Sequence, residues 1–316
     1  FRIERITGAT TSQTAPPYSF QFQDDLPPLT SYRYWVGAPS TYRTDFVIES
    51  DAPSNLRGAA NGADHIVITH ADFSAQASLL RDHRAGKGLR AVVVDVQDIY
   101  DEFGYGIVDV TAIHNFLAYA YANWQSPAPS YVVLLGDGHY DPKDNQGYGK
   151  GNFIPPYLAF VDPWGELASD NRYVTIVGED TLPDMMLGRL AVNTSAEASA
   201  MVNKIIAYET TPNLEDWWSQ LLAVTDNSEP GNDFYVISDD LITNNIPDTI
   251  TVEKIYYLDT HLTAAEAKQA IIDGINAGKF IVNYIGHGGT SLWAGEQIFR
   301  TSDIPFLTNS GKLHVM

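Results

Sequence analysis

Short apolar runs and segments of helical period alternate along most of the chain. His65-Ile66-Val67-Ile68 reads as a buried strand, and a helix predicted from about Asp72 places Phe73, Ala77 and Leu80 on one face. Gly86 and Gly88 stop that helix. Arg90 to Val96 reads as a second strand. A helix opening near Asp109 carries Val110, Ile113, Leu117, Ala120, Tyr121 and Trp124 at helical spacing. Tyr131-Val132-Val133-Leu134-Leu135 is a third strand, closed by Gly136-Asp137-Gly138. Further strands are expected at Tyr173 to Val177 and Met185 to Leu187, followed by a helix from Ser195 to Tyr208.

The alternation then repeats after Trp217-Trp218. Leu221 to Val224 is a strand ending at Thr225-Asp226, a helix covers about Asp233 to Thr243, and Thr251 to Leu258 is a strand. Thr263-Ala264-Ala265-Glu266 is a capping box, and its helix runs to Ala277 before Gly278. Phe280 to Ile285 is apolar enough for a buried parallel strand and ends abruptly in Gly286-His287-Gly288-Gly289. Lys312 to Met316 opens another apolar strand, whose remainder is expected past Met316. Strands alternating with helices predict parallel sheets covered on both faces. The fold class is therefore α/β, with two adjacent parallel-sheet subdomains flanked by helices. Residues 1–60 lack helical period and are rich in Thr, Ser, Pro and aromatics. They read as the tail of a preceding β-domain plus a linker ending at Ser54 to Gly58, or else as a mostly unstructured segment. The boundaries are 1–60, 61–212 and 213–316.

Composition narrows the chemistry. With 39 acidic against 19 basic residues the formal charge is −20. That excludes nucleic acid as a partner, since phosphate binding needs a surplus of Lys and Arg, and fits a secreted or surface protein. No apolar run reaches the roughly 20 residues of a membrane span. There is no cysteine, which removes disulfides, thiolate zinc sites and a thiol nucleophile within these residues. The histidines lack His-Glu-x-x-His spacing and no serine sits in a Gly-x-Ser-x-Gly elbow.

His287 remains the residue with the clearest chemical signature. A strand that ends in a glycine-flanked histidine brings an imidazole to the carboxyl edge of the sheet, where open α/β sheets keep their sites. Asp226 and Asp259 stand at the ends of two other strands of the same unit, and a carboxylate there can orient an imidazole. Asp226, leaving its strand directly into a loop, is the better candidate. Plainer roles stay open at this stage, a turn cap for Asp226 and a buried, hydrogen-bonded histidine for His287. A nucleophile or metal is still missing.

Several segments resemble the gingipain-like cysteine peptidases of peptidase family C25. They are Ala63 to His70, Tyr131 to Gly138, Leu182 to Leu190 and, most specifically, Asn283-Tyr284-Ile285-Gly286-His287-Gly288. The resemblance implies a second subdomain of caspase-like fold and a Cys–His mechanism, with a protein or peptide as substrate. It places the general base at His287, an oxyanion-hole N–H at Gly288 and the orienting acid at Asp226. The family's cysteine follows the strand after the histidine, so the catalytic subdomain is expected to be completed by a C-terminal remainder of the same polypeptide. Asp233, Asp239 and Asp240 are candidates for an acidic S1 pocket that binds a basic P1 side chain. The resemblance also raises structural calcium, with no catalytic cofactor. Candidate ligands are Asp137, Asp141 and Asp144 in one glycine-rich loop, and Asp162, Glu166, Asp170, Glu179, Asp180 and Asp184 in the next long segment, against ordinary solvated acids. Two further readings share the fold. One is a sortase-like transpeptidase of the same family, and the other a non-catalytic surface or assembly module.

Overall fold

The computed structural model describes residues 10–11, 20–21 and 52–316, apart from 143, 148, 150, 164, 179 and 212–214. The chain divides into a unit Phe1–Pro53 and a unit Ser54–Met316. In the first, strand β1 (Thr10–Thr11) pairs antiparallel with β2 (Phe20–Gln21). The other strands expected before residue 52, including the stretch from Thr30 to Val36, lie outside the described residues.

Four parallel strands open the second unit. They are β3 (His65–Thr69), β4 (Ala91–Asp95), β5 (Tyr131–Leu135) and β8 (Met186–Leu190), in the order β4-β3-β5-β8. An antiparallel hairpin, β6 (Leu158–Val161) and β7 (Gly165–Ala168), lies between β5 and β8 in sequence. Alternate side chains of β3 and β5 point to opposite faces, as a pleated strand requires. Ile66, Ile68, Val132 and Leu134 pack with Ile99, Ile113, Phe116 and Leu117 of helices α2 (Val96–Gly104) and α3 (Val110–Asn123). Val67 and Leu135 pack with Ala77 and Leu80 of α1 (Ser74–Gly86) and with Ala198 and Val202 of α4 (Ser195–Thr210). The helix starts are chemically marked, since Asp95, Asp109 and Thr194 each accept a backbone N–H of the first turn.

Two expectations change here. The strand read as running to Val96 stops at Asp95, which caps α2 at once, so strand turns into helix with no loop. Tyr173 to Val177 is not a strand. A 3-10 turn ends at Tyr173, whose hydroxyl donates to Pro155 O at 2.6 Å, and the Ile176 and Val177 amides go to the Asp184 carboxylate at 2.7 and 2.8 Å. With these two amides taken by a side chain and the Val174 N–H by Asn171 O, the segment forms turns instead of a ladder.

The second sheet has the order β10-β9-β11, all parallel, from β9 (Gln220–Thr225), β10 (Thr251–Tyr256) and β11 (Ile281–Ile285). Helix α6 (Ala264–Ala277) covers one face, with Ala267, Ile271 and Ile275 on Leu222, Val224 and Val282. Helix α5 (Phe234–Asn245) covers the other through Ile242 on Leu221 and Ala223. The Thr263/Glu266 capping box is formed, and Gly278, at φ +99°, ends α6. Past β11 the chain makes a small antiparallel sheet of β12 (Gly288–Gly289), β13 (Leu292–Trp293) and β14 (Phe299–Arg300). Of the strand expected at Lys312 to Met316, Val315 forms a parallel bridge to Ile281, with bonds of 2.9 Å to Phe280 O and from Val282 N. It lies on the side of β11 away from β9.

His65, at the start of β3, is 4 % exposed, its Nδ1 has no hydrogen-bond partner, and burial with the nearby Arg84 charge lowers its pKa to about 4. The unfolded chain binds this proton below about pH 6.5 and the folded protein only below about 4, so stability falls as pH drops between these values. The loss should be roughly 1–3 kcal/mol across that window. In urea denaturation at pH 7, 5.5 and 4.5, His65→Leu should show a flatter decline than the native protein. Parallel declines would refute this assignment.

Candidate active site

The register of the second sheet sets the site. Ile285 of β11 pairs with Thr225 of β9, and the next residue continues the ladder, with Asp226 N–H donating to Ile285 O at 3.1 Å. Asp226 and the Gly286-His287 pair therefore leave adjacent strands at the same level. Asp226 is buried, its side chain 4 % exposed. Its Oδ1 accepts the Asn227 N–H at 2.8 Å, and its Oδ2 accepts the His287 N–H at 3.2 Å and lies 3.4 Å from His287 Nδ1. The His287 side chain is 59 % exposed, which excludes the buried structural histidine left open by the sequence. Asp226 serves as turn cap and imidazole partner at once. Asp259 stays apart, its N–H closing a turn onto Tyr256 O at 3.1 Å.

Glycine at 286 is a steric requirement. A Cβ there would lie 2.4 Å from Asp226 Cβ and 2.6 Å from the Tyr284 hydroxyl. The imidazole has two further neighbours. Phe234, first residue of α5, meets it edge-on with centroids 5.3 Å apart. Glu229 Oε1 lies 3.5 Å from Nε2 and accepts Asn232 Nδ2 at 2.9 Å. Glu229 and Asn232 also exchange backbone bonds of 3.1 and 3.0 Å around Gly231, at φ +94°. Ser228-Glu229-Pro230-Gly231 is a legible turn signal. Nothing in the sequence places its carboxylate on the histidine.

The other predicted residues divide. Gly288 is exposed beside His287. Asp233 caps α5 by accepting Val236 N–H at 3.3 Å and accepts Ser228 Oγ at 2.8 Å, which ties it to the loop that carries Glu229. Asp239 instead pairs with Lys254 at 2.7 Å and accepts the Tyr256 hydroxyl at 2.6 Å, contacts that hold its carboxyl below the ordinary range. Asp240 accepts Asn244 Nδ2 at 2.7 Å. Four of the acidic loop residues have separate hydrogen-bond or ion-pair partners. Asp137 accepts Gly138 N–H and Asn193 Nδ2, Asp141 accepts Asn145 and Gln146, Asp170 pairs with Arg189 at 2.6 Å, and Asp180 accepts Leu182 N–H. Among the described residues no three His, Cys, Asp or Glu side chains are grouped to hold a metal ion.

The model of Peptidase family C25 matches residues 59–316. The chain belongs to that family. Gingipain R1 of Porphyromonas gingivalis is 27 % identical over 289 residues, 88 % of this chain and 26 % of that protein. Gingipain R2 of the same organism is 28 % identical over 257 residues, 78 % of this chain and 30 % of that protein. The crystal structure of the Arg-specific cysteine proteinase gingipain R matches with a TM-score of 0.62 at 26 % identity, over 84 % of this chain and 55 % of that one. A complex of gingipain R pro- and mature domains matches at 0.60 and 27 % identity, over 79 % and 53 %. The chain spans under a third of these curated relatives and about half of the solved chains. The α/β architecture is thus that of the gingipain structures. Among the described residues no helix is long and apolar enough to cross a membrane.

Two glycine substitutions test the steric argument. Gly286→Ala should lower stability by about 1–3 kcal/mol through overpacking and shift the His287 ring resonances. Gly288→Ala, whose Cβ would meet nothing nearer than Leu292 O at 3.7 Å, should be close to neutral. Equal effects on the denaturation midpoint would rule out the close approach at 286.

Proposed function

We propose that the polypeptide carrying this chain is a secreted or surface endopeptidase that cleaves proteins or peptides through a Cys–His mechanism. The observation that carries the reading is the pair at the rim of the second sheet, a buried Asp226 carboxylate 3.4 Å from the Nδ1 of an exposed His287. A buried acid beside Nδ1 selects the tautomer with its proton on that nitrogen and leaves Nε2 to exchange a proton with a reacting group. Membership of Peptidase family C25 over residues 59–316, with the match to a gingipain R structure described as a cysteine proteinase, supports a thiol as that group.

The sequence holds no cysteine, so the thiol would come from chain downstream of Met316. Val315 pairs with Ile281, and Ile285 is four residues further along β11. A strand continuing from Val315 in the same register would have its fourth further residue opposite Ile285, two positions short of His287. In the proposed reaction the thiol proton passes to His287 Nε2 and sulfur adds to the scissile carbonyl carbon. The C–N bond then breaks as the imidazolium returns the proton to the leaving amine. Water, with its proton taken by His287, cleaves the thioester. The Gly288 N–H stabilises the oxyanion. Glu229 would have to yield Nε2 to the sulfur. Asp233, tied to Ser228 of the loop that carries Glu229, would bind a cationic P1 side chain, in keeping with a matched structure described as Arg-specific.

The test is the polypeptide with its natural continuation past Met316, assayed on peptides with Arg, Lys or neutral P1. His287→Ala should lose about 10²–10⁴ in rate, and Asp233→Asn should erase the preference for basic P1. An added amine should not divert the acyl group from water. Absence of cysteine from the continuation, or undiminished turnover in His287→Ala, would overturn the peptidase reading.

A further inference from the structure

His287 and Gly288 share one peptide unit, the carbonyl belonging to His287 and the N–H to Gly288. Both acceptor positions of that carbonyl are filled. The Tyr284 hydroxyl donates to His287 O at 2.6 Å, and the Ala294 N–H donates to the same oxygen at 2.8 Å. The Ala294 N–H also reaches the Tyr284 oxygen at 3.0 Å. The bond from Ala294 to His287 brackets the pairing of Gly288 with Trp293, so that pair is of the non-hydrogen-bonded kind in the β12–β13 ladder. The Gly288 N–H therefore points away from β13, on an exposed residue beside the imidazole.

Tyr284 is well placed to hold this arrangement. Its ring stacks flat on Trp293, with centroids 4.6 Å apart and planes 2° from parallel. Burial, and after it the charge of Asp226, raises its pKa far above the ordinary tyrosine range, so the hydroxyl keeps its proton and donates it. A peptide whose carbonyl accepts hydrogen bonds becomes a stronger donor at its N–H, because the bonds polarise one another.

We propose that Tyr284 is a positioning residue for the oxyanion-binding amide: with Ala294 it clamps the His287 carbonyl, fixing the plane of the 287–288 peptide and aiming its N–H at the oxygen that gains charge. The proposal rests on the reading of Gly288 as an oxyanion donor. Tyr284 touches no reacting atom and acts only through that peptide. Removing a whole oxyanion-hole donor costs about 10²–10³ in rate. Losing the clamp while the donor remains should cost less, about 5–30-fold.

Tyr284→Phe removes the hydroxyl and keeps the ring on Trp293. In the polypeptide with its continuation, kcat should fall about 5–30-fold with KM within about two-fold. A peptide aldehyde, whose carbon takes the thiolate while its oxygen takes the charge, should bind more weakly by the same factor. In the present chain, which needs no nucleophile for this measurement, the Gly288 amide proton and nitrogen resonances should move. Unmoved Gly288 resonances overturn the proposal whatever the activity. So does an unchanged kcat and aldehyde affinity, or a loss that appears in KM with a lowered unfolding midpoint. If the resonances move but the native polypeptide cleaves no peptide, the peptidase reading has failed, and the clamp serves no oxyanion.

Discussion

The Asp226 carboxylate constrains the whole second sheet. A buried charge is tolerated only when its oxygens are hydrogen-bonded, and here both are, to the Asn227 and His287 amides. Those bonds exist only because β9 is the central strand, β11 is its neighbour, and the register brings residues 226 and 287 out at one level. A slip of one residue would turn the side chains of β11 to the opposite face and leave the carboxylate unpaired. Glycine at 286 is part of the same condition, since any side chain there would push the two strand ends apart. The apolar packing of Leu222, Val224 and Val282 under α6 supports this polar junction and fixes its register.

The junction divides exposure in a chemically useful way. Asp226 is shielded, where its attraction for the imidazole is least screened, while most of the His287 ring faces solvent. Orientation comes from the interior side and access from the other. Glu229 adds a second carboxylate on the access side, held by its own small hairpin rather than by the sheet. The imidazole thus lies between a fixed acid at Nδ1 and a loop-borne acid at Nε2, and only the first is built into the core.

Much of this was legible in the residues. The apolar runs of β3, β5, β9 and β11 and the glycine-flanked His287 could be read directly, as could the choice of Asp226 over Asp259, because Asp226 leaves its strand directly into a loop. What stayed hidden depended on contacts made across the fold. Helix α2 was missed because Asp95 ends a strand and caps a helix within one residue. Tyr173 to Val177 has strand-like composition, but Asp184 takes its amides. Asp239 reads like Asp233 in the sequence, but Lys254 of the next strand pairs with its carboxylate. The Tyr284 hydroxyl gives no signal at all, because an aromatic residue in a strand reads as packing.

The two sheets share one architecture and differ in what their carboxyl edges leave available. On the first sheet the polar residues at the strand ends serve the fold. Asp95 caps α2, His70 accepts the Asp72 N–H through Nδ1, and Asp137 is divided between Gly138 and Asn193. On the second, Asp226 closes its turn with one oxygen and still has the other for His287, and the β12–β13 ladder leaves the Gly288 N–H turned outward. The edge of the second sheet keeps donors and acceptors left over after its local hydrogen bonding is satisfied, because Asp226, Gly286 and Tyr284 complete their own contacts without closing off His287 and Gly288.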